Sequence, residues 1–281
     1  MINKFKILWI WEIVVDKTYF LDDFPSEWLK FQSTDSMEWV GWPVPTALKF
    51  LQNMWCDVEL IWTVWNDYWA IFLKKELSKY SIKTDFIKCR STKINTILVN
   101  NKSWERTIIK DLDRNNKIKN INIEKIKQAD AIIFDRTEKE LFDFVIKNKR
   151  KETIIMVDTS TEFNEKIIDF LNNSSEIIVP IEVEEKLSIE GLNPLQKNII
   201  ITDWKNWTHI FDWKNKKTIP ALDIKAIDTN WAWDVFRWAY TWGLLQKWDT
   251  EKIVKFANKI AWLQCTKKGN LWAVPEKKDL I

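Results

Sequence analysis

The stretch of this sequence richest in possible chemistry is residues 228–234, DTNWAWD. It lies between a strand-like stretch and a long apolar-periodic segment that reads as a helix over about 233–246. Small residues at such a junction let backbone N–H groups converge on an anion at the helix N-terminus. A carboxylate one step into the helix, Asp234, can take a proton there; taken alone it reads equally as a helix-start acid facing the dipole. As written, Trp231 and Trp233 fill that space with two indoles. A second carboxylate, Asp16, follows the first apolar run, residues 6–15, and an acidic run holds Glu182, Glu184 and Glu185. Arg106 and the pair Asp135-Arg136 are charged groups that could reach a ligand; a surface ion pair is the plainer reading of each arginine. His209 is the one histidine, which argues against Ser-His-Asp and Cys-His catalysis and against multi-His zinc sites. A structural role suits it better.

The elements that must position these groups follow from periodicity. Residues 6–15 read as a first strand, broken only by Glu12. Residues 43–54 read as a helix, with Pro43 near its start and Ala47, Leu48, Leu51 and Met54 at helical spacing. Residues 58–63 are a strand and 70–79 a helix. Residues 84–110 alternate polar and apolar and read as several short strands. Strands at 131–134, 153–157 and 176–179 then alternate with helices at 138–148 and 164–172. A short helix near 183–188, strands at 198–202 and 207–211, and helices at 233–246 and 249–264 complete the chain. Strands alternating with helices predict an α/β fold with a largely parallel sheet. The early short strands predict a small β flap.

Composition bounds the function classes. The chain has 281 residues, 30% charged, with Lys+Arg 43 against Asp+Glu 40. That balance gives no electrostatic reason to expect nucleic acid or a membrane as partner. No apolar run reaches the roughly 18 residues of a membrane span, and the first residues lack a signal-peptide layout. Cys56, Cys89 and Cys265 are scattered and odd in number. They offer neither a disulfide framework nor a Cys-x-x-Cys spacing, which predicts a reducing, cytoplasmic setting. Abundant Lys, Asn and Ile fit an AT-rich genome. No repeat of 20–50 residues is visible, and no G-x-x-x-x-G-K-[ST] loop exists.

One count is abnormal. Average glycine usage of roughly 7% predicts about 20 in such a chain, yet there are 4 Gly and 20 Trp. Reading the anomalous tryptophans as glycine turns 228–234 into D-T-N-G-A-G-D. That segment resembles the signature of the ribokinase-like (PfkB) sugar kinase family. The same exchange makes Trp9-Ile10-Trp11-Glu12…Asp16 similar to the family's first strand and sugar-binding acid. Gly41-Trp42 becomes its G-G pair. Trp62, Trp65 and Trp69 give G-T-V-G-N-D-Y-G, and residues 202–207 give T-x-G-x-x-G. Trp28, Trp55, Trp104, Trp213, Trp238, Trp248, Trp262 and Trp272 also land on usual glycines, and the tail carries Cys265-Thr266…Gly269. Only Trp39 and Trp242 read as true tryptophans. The simplest cause is decoding: the source reads UGA as glycine, and UGA has been translated here as tryptophan. Magnitudes favour this. Overpacking costs about 1–3 kcal/mol per site and a left-handed non-glycine residue about 1–2 kcal/mol. Eighteen such sites would exhaust a domain stability of about 5–15 kcal/mol.

The resemblance spans nearly the whole chain. It implies one ribokinase-like, three-layer α/β domain over 1–281, its mostly parallel sheet flanked by helices. A β-sheet lid would come from parts of 12–40 and 84–112, with dimerisation through that lid. It implies ATP-dependent transfer of the γ-phosphoryl group to a hydroxyl of a small carbohydrate, with Mg²⁺. Asp234 would be the base and Trp231, Ala232 and Trp233 would frame the anion hole. Asp16, Gly41, Trp42, Thr46 and Arg106 would line the substrate. Thr202, Trp204, Trp207 and Asn258 would line the nucleotide. Glu184 would be the Mg²⁺-linked acid, and Asp228 and Thr229 would border a monovalent cation (K⁺) site. Two positions depart from the pattern: Ile181 replaces the Asn of Asn-x-x-Glu, and Thr46 the Asn after the G-G pair. Two alternatives stand beside this reading: a nucleoside kinase of the same family, and a non-catalytic scaffold whose pockets real tryptophans plug.

Overall fold

The first strand, β1 (Lys6–Ile10), is apolar on both faces. Ile7 and Trp9 enter one buried cluster, while Leu8 and Ile10 enter another. Such a strand belongs in the middle of a parallel sheet covered on both sides. A computed structural model describes residues 4–10, 13–28, 30–41, 43–111, 118, 120–134, 138–158, 165–183, 198–203, 206–211, 215–222, 225–227, 229, 232–267 and 274–276. In it β1 lies between β4 (Asp57–Val64) and β8 (Ala131–Phe134), both parallel to it. β5 (Lys83–Lys88) and β9 (Ile154–Val157) add parallel edges, giving the order β5-β4-β1-β8-β9.

Helices cover both faces, making three layers. On one side lie α1 (Pro43–Asn53), α2 (Tyr68–Ser78), α6 (Ala232–Leu245) and α7 (Thr250–Cys265), which share the larger cluster with Phe50, Leu73, Trp238 and Ile260. On the other lie α3 (Ile123–Gln128) and α4 (Lys139–Asn148), whose Ile126, Leu141, Phe142 and Val145 pack on Leu8, Ile132 and Phe134. α5 (Glu165–Asn173) leads from β9 to β10 (Ile177–Pro180). The backbone N–H of Ser175 donates to the Ile155 carbonyl at 2.7 Å, stitching the second sheet to the first. That sheet continues from β10 through β11 (Ile199–Asp203) and β12 (Trp207–Phe211) to β13 (Lys216–Pro220).

A third sheet has the order β3-β2-β6-β7, formed by β2 (Val15–Leu21), β3 (Asp35–Val40), β6 (Ile94–Asn100) and β7 (Arg106–Ile109). The expected strand over 6–15 is therefore two strands in two sheets. β1 stays in the core, and Val15 pairs with Val40 and Ile94. β5, which overlaps the 84–112 stretch expected to supply parts of the lid, pairs with β4 in the main sheet. The expected helix near 183–188 begins as a short 3-10 turn, Ile181–Val183; beyond it the stretch lies outside the described residues. Two elements escape periodicity. β13 (KKTIP) is an exposed edge strand whose lysines blunt an open edge, and α3 has only six residues, half of them charged.

Tryptophan occupies strained positions. Five described non-glycine residues have positive φ, and three are Trp28 (67°), Trp55 (63°) and Trp104 (60°). All three are exposed. Trp9 and Trp238 are fully buried with ring centroids 4.2 Å apart. Trp207 stacks on His209 at 3.3 Å. Both separations are shorter than the roughly 4.5–7 Å that aromatic pairs prefer.

Candidate active site

The helix-start acid sits where the sequence puts it. Asp234 is in the first turn of α6 and is 9% exposed. Burial pushes its carboxyl from 3.8 up to about 7. The guanidinium of Arg237, one turn later, pulls the other way: its Nη2 donates to Asp234 Oδ1 at 3.1 Å. Ala232, the first residue of α6, lines a cavity of about 740 Å³, a size suited to a small ligand. Its N–H donates to the Thr229 carbonyl at 3.3 Å. Thr202, Thr208, Thr229, Trp233 and Asn258 line the same cavity.

Two side chains in that cavity are chemically unfinished. Asn258 on α7 is 5% exposed. Its Oδ1 accepts from Thr208 Oγ1 at 2.9 Å, while its Nδ2 has no partner among the described residues. A buried donor left open in a cavity wall calls for an acceptor on a ligand. The indole N–H of Trp233 is likewise buried without a described partner. Among the described lining residues Asp203 alone is charged. Negative charge entering here must therefore be met largely by backbone N–H groups and the N-terminus of α6.

A second constellation forms around Asp16 at the start of β2. Asp16 is 7% exposed. Burial raises its carboxyl above the usual range, partly offset by a hydrogen bond from Asn95 and by the charge of Arg106 on β7. Asn95 Nδ2 donates to Asp16 Oδ1 at 3.0 Å, and Asn95 Oδ1 accepts the backbone N–H of Asp111 at 3.3 Å. Gly41 closes on the same acid. A Cβ there would lie 2.5 Å from Val14 Cγ2 and 3.7 Å from Asp16 Oδ2, so only glycine fits without a shift.

The remaining expected residues divide. Thr46 is fully buried in the first turn of α1. Trp207 is not among the described lining residues of the cavity; its ring stacks on His209, and its neighbour Thr208 lines the wall instead. Trp11, Trp42, Asp135, Arg136, Glu184, Trp204, Asp228 and Trp231 lie outside the described residues. Among those described, no three His, Cys, Asp or Glu side chains form a group able to hold a metal. Sequence reasoning missed Asn95, Thr208, Arg237 and Asp158, the acid paired with Arg237. The spacing of Asp234 and Arg237, three apart on one helix, was a readable signal; the other partners come from distant strands and had none.

Comparison with known proteins identifies the fold and the family. Ribokinase from Thermotoga maritima is 19% identical, with a TM-score of 0.77 over 98% of each chain. Arabidopsis thaliana ribokinase, solved with ribose and ATP, is 12% identical, with a TM-score of 0.81 over 99% of this chain and 98% of that one. A Methanocaldococcus jannaschii nucleoside kinase of the ribokinase family is 15% identical, with a TM-score of 0.78 over 98% of this chain and 96% of that one. At these identities the likeness establishes the fold. The family model for pfkB family carbohydrate kinases matches residues 46–277, well over half the chain. A buried acid at the start of α6, the helix whose first residue lines the cavity, thus has its family: the chain belongs to the pfkB carbohydrate kinases.

Proposed function

We propose that this protein is an ATP-dependent kinase that phosphorylates a hydroxyl of a small carbohydrate, and that residues 231 and 233 are glycine in the cellular protein. The observation that carries the reading is the shared cavity. Ala232 opens the helix that holds the buried Asp234, and the same wall holds Asn258 with its open Nδ2. Nucleotide fits that cavity by size and by the unsatisfied donor.

Phosphoryl transfer of this kind rests on positioning and charge neutralisation rather than covalent chemistry. Asp234 takes the proton of the attacking hydroxyl, and a carboxyl lifted to about 7 by burial is matched to that task near neutral pH. The N–H groups of the 231–234 turn other than that of Ala232, which donates to the Thr229 carbonyl, would face the charge on the moving phosphoryl group, in a site where water is scarce. With glycine at 231 and 233 the backbone can approach the phosphate; with indoles it is walled off. Asp16, oriented by Asn95, accepts hydrogen bonds from sugar hydroxyls, with Gly41 leaving room beside it. Asn258 donates to the base, and Thr202 and Thr208 border the nucleotide. By resemblance Glu184 would hold Mg²⁺, which would supply neutralisation of the phosphate charge. Thr229 and Asp228 would border K⁺. The sheet β3-β2-β6-β7 would be the lid and a dimer surface.

A second reading has one observation in its favour. Trp233 lines the cavity, so a chain with real tryptophan there would be a non-catalytic binding scaffold. The similarity to an archaeal nucleoside kinase keeps nucleosides in any substrate panel. The deciding experiment is tryptic-peptide mass across 228–237 from the native host, followed by ADP release with a sugar and nucleoside panel. Glycine masses with sugar-dependent ADP release support the kinase. Tryptophan masses, or no turnover with any acceptor, overturn it.

A further inference from the structure

Arg237 is 2% exposed, deep in α6, and carries a charge the transfer itself does not use. A buried guanidinium must be paired or its desolvation is ruinous. It has two carboxylate partners. Nη2 donates to Asp234 Oδ1 at 3.1 Å, and Nη1 pairs with Asp158, which follows β9 and whose side chain is 5% exposed. The rings of Trp233 and Trp238 lie 5.2 and 5.3 Å from the guanidinium carbon. Two acids thus share one cation, on a helix and a strand packed together.

The other charges on the elements around α6 are engaged elsewhere. Lys49 on α1 lies over the Tyr80 ring and feels Glu276. On α7, Glu251 pairs with Lys217 and Lys255, Lys252 lies over Trp248, and Lys259 is exposed. Glu176 acts on Tyr240, farther along α6. Among the described residues, Arg237 contacts Asp234 directly, and Asp158 pairs with the same guanidinium.

We infer that Arg237 is a positioning residue for the base: it holds Asp234 Oδ1, leaving Oδ2 to the substrate hydroxyl, and Asp158 sets the strength of that hold by competing for the same guanidinium. The roles assigned rest on the kinase reading above, while the clamp itself is a property of the fold. A fixed orientation of the carboxylate is what a fork of rigid N–H donors provides and a lysine does not.

The clamp has a signed test. The Asp234 carboxyl is followed by ¹³C NMR in the chain labelled at aspartate carboxyls, its signal assigned by loss in Asp234→Asn. This readout works whether or not the chain turns over, so a failed clamp and a failed kinase assignment are told apart. Arg237→Met removes the favourable charge, and the Asp234 titration moves up by about one to three pH units. Asp158→Asn frees the guanidinium for Asp234 alone, and the titration moves down. Arg237→Lys keeps the charge and restores most of the titration, while the acceptor's KM and kcat recover less. Should Arg237→Met fail to fold, the double variant Asp158→Asn/Arg237→Met, which leaves neither charge behind, still moves the titration up, by less than Arg237→Met because the repulsion of Asp158 is gone as well. An Asp234 titration unmoved in Asp158→Asn and in the foldable Arg237 variant, with only Tm lowered, overturns the inference.

Discussion

Asp234 carries the most specific expectations at the scale of single residues. Its replacement by Asn keeps the shape and removes the base. Turnover should fall by about 10²–10⁴-fold, while ATP still raises the melting temperature. Loss of both would mean that the site, not the proton transfer, was destroyed. The acid also dates the pH response. Burial raises its carboxyl to about 7, so the rate should climb as pH rises toward neutrality and the base loses its proton. Stability runs the opposite way. A raised folded value means the native state binds the proton more tightly, so this group's stabilisation is complete below about 4 and is lost as pH rises through about 7. Relative to Asp234→Asn, denaturant midpoints should therefore fall across that window; a flat difference would contradict the burial. For Asn258, truncation to Ala removes the open Nδ2 donor and its bond from Thr208. The nucleotide KM should rise about 5- to 10-fold, the worth of a hydrogen bond of about 1 kcal/mol, with the sugar KM little changed. Asp234 was legible in the sequence as a helix-start acid because it stands in a local motif, whereas Asn258 entered through the family resemblance, its place on a periodic helix saying nothing of a ligand. Asn95 was not legible, since it meets Asp16 only through the pairing of β2 with β6.

At the scale of elements, the entry to α1 and the exit from it test the glycine reading. Gly41 precedes α1, and a methyl group there collides with Val14 at 2.5 Å. Gly41→Ala should cost about 1–3 kcal/mol of stability and raise the sugar KM through displacement of Asp16. At the other end Trp55 has φ 63°, the left-handed C-terminal position where glycine belongs. In a chain that truly carries tryptophan there, Trp55→Gly should add about 1–2 kcal/mol, measured by urea unfolding; no gain would mean that the indole finds compensating contacts. The core strands and long helices were readable because continuous apolar runs and helical spacing survive any exchange of glycine for tryptophan. β13 and α3 were not, because an edge strand rich in lysine and a single short turn carry little periodic signal.

At the scale of the whole molecule, the three-layer fold brings the start of α6, the end of β11 and the middle of α7 to one cavity. Ligand that binds only the native chain must raise its stability. Saturating ATP should lift Tm by several degrees when residues 231 and 233 are glycine, and by much less in the chain with indoles there. Equal shifts would show that the tryptophans do not obstruct the nucleotide. What the sequence by itself determined was the order of strands and helices, the acid at the start of α6 and the abnormal counts of glycine and tryptophan, since periodicity, local motifs and counts are properties of neighbours along the chain. What only the tertiary structure decided was that residues 6–15 split between two sheets, that Asn95 orients Asp16, and that Arg237 is shared between Asp234 and Asp158. Those arrangements depend on strand pairing and on the desolvation of charges, and neither exists until distant segments close on one another.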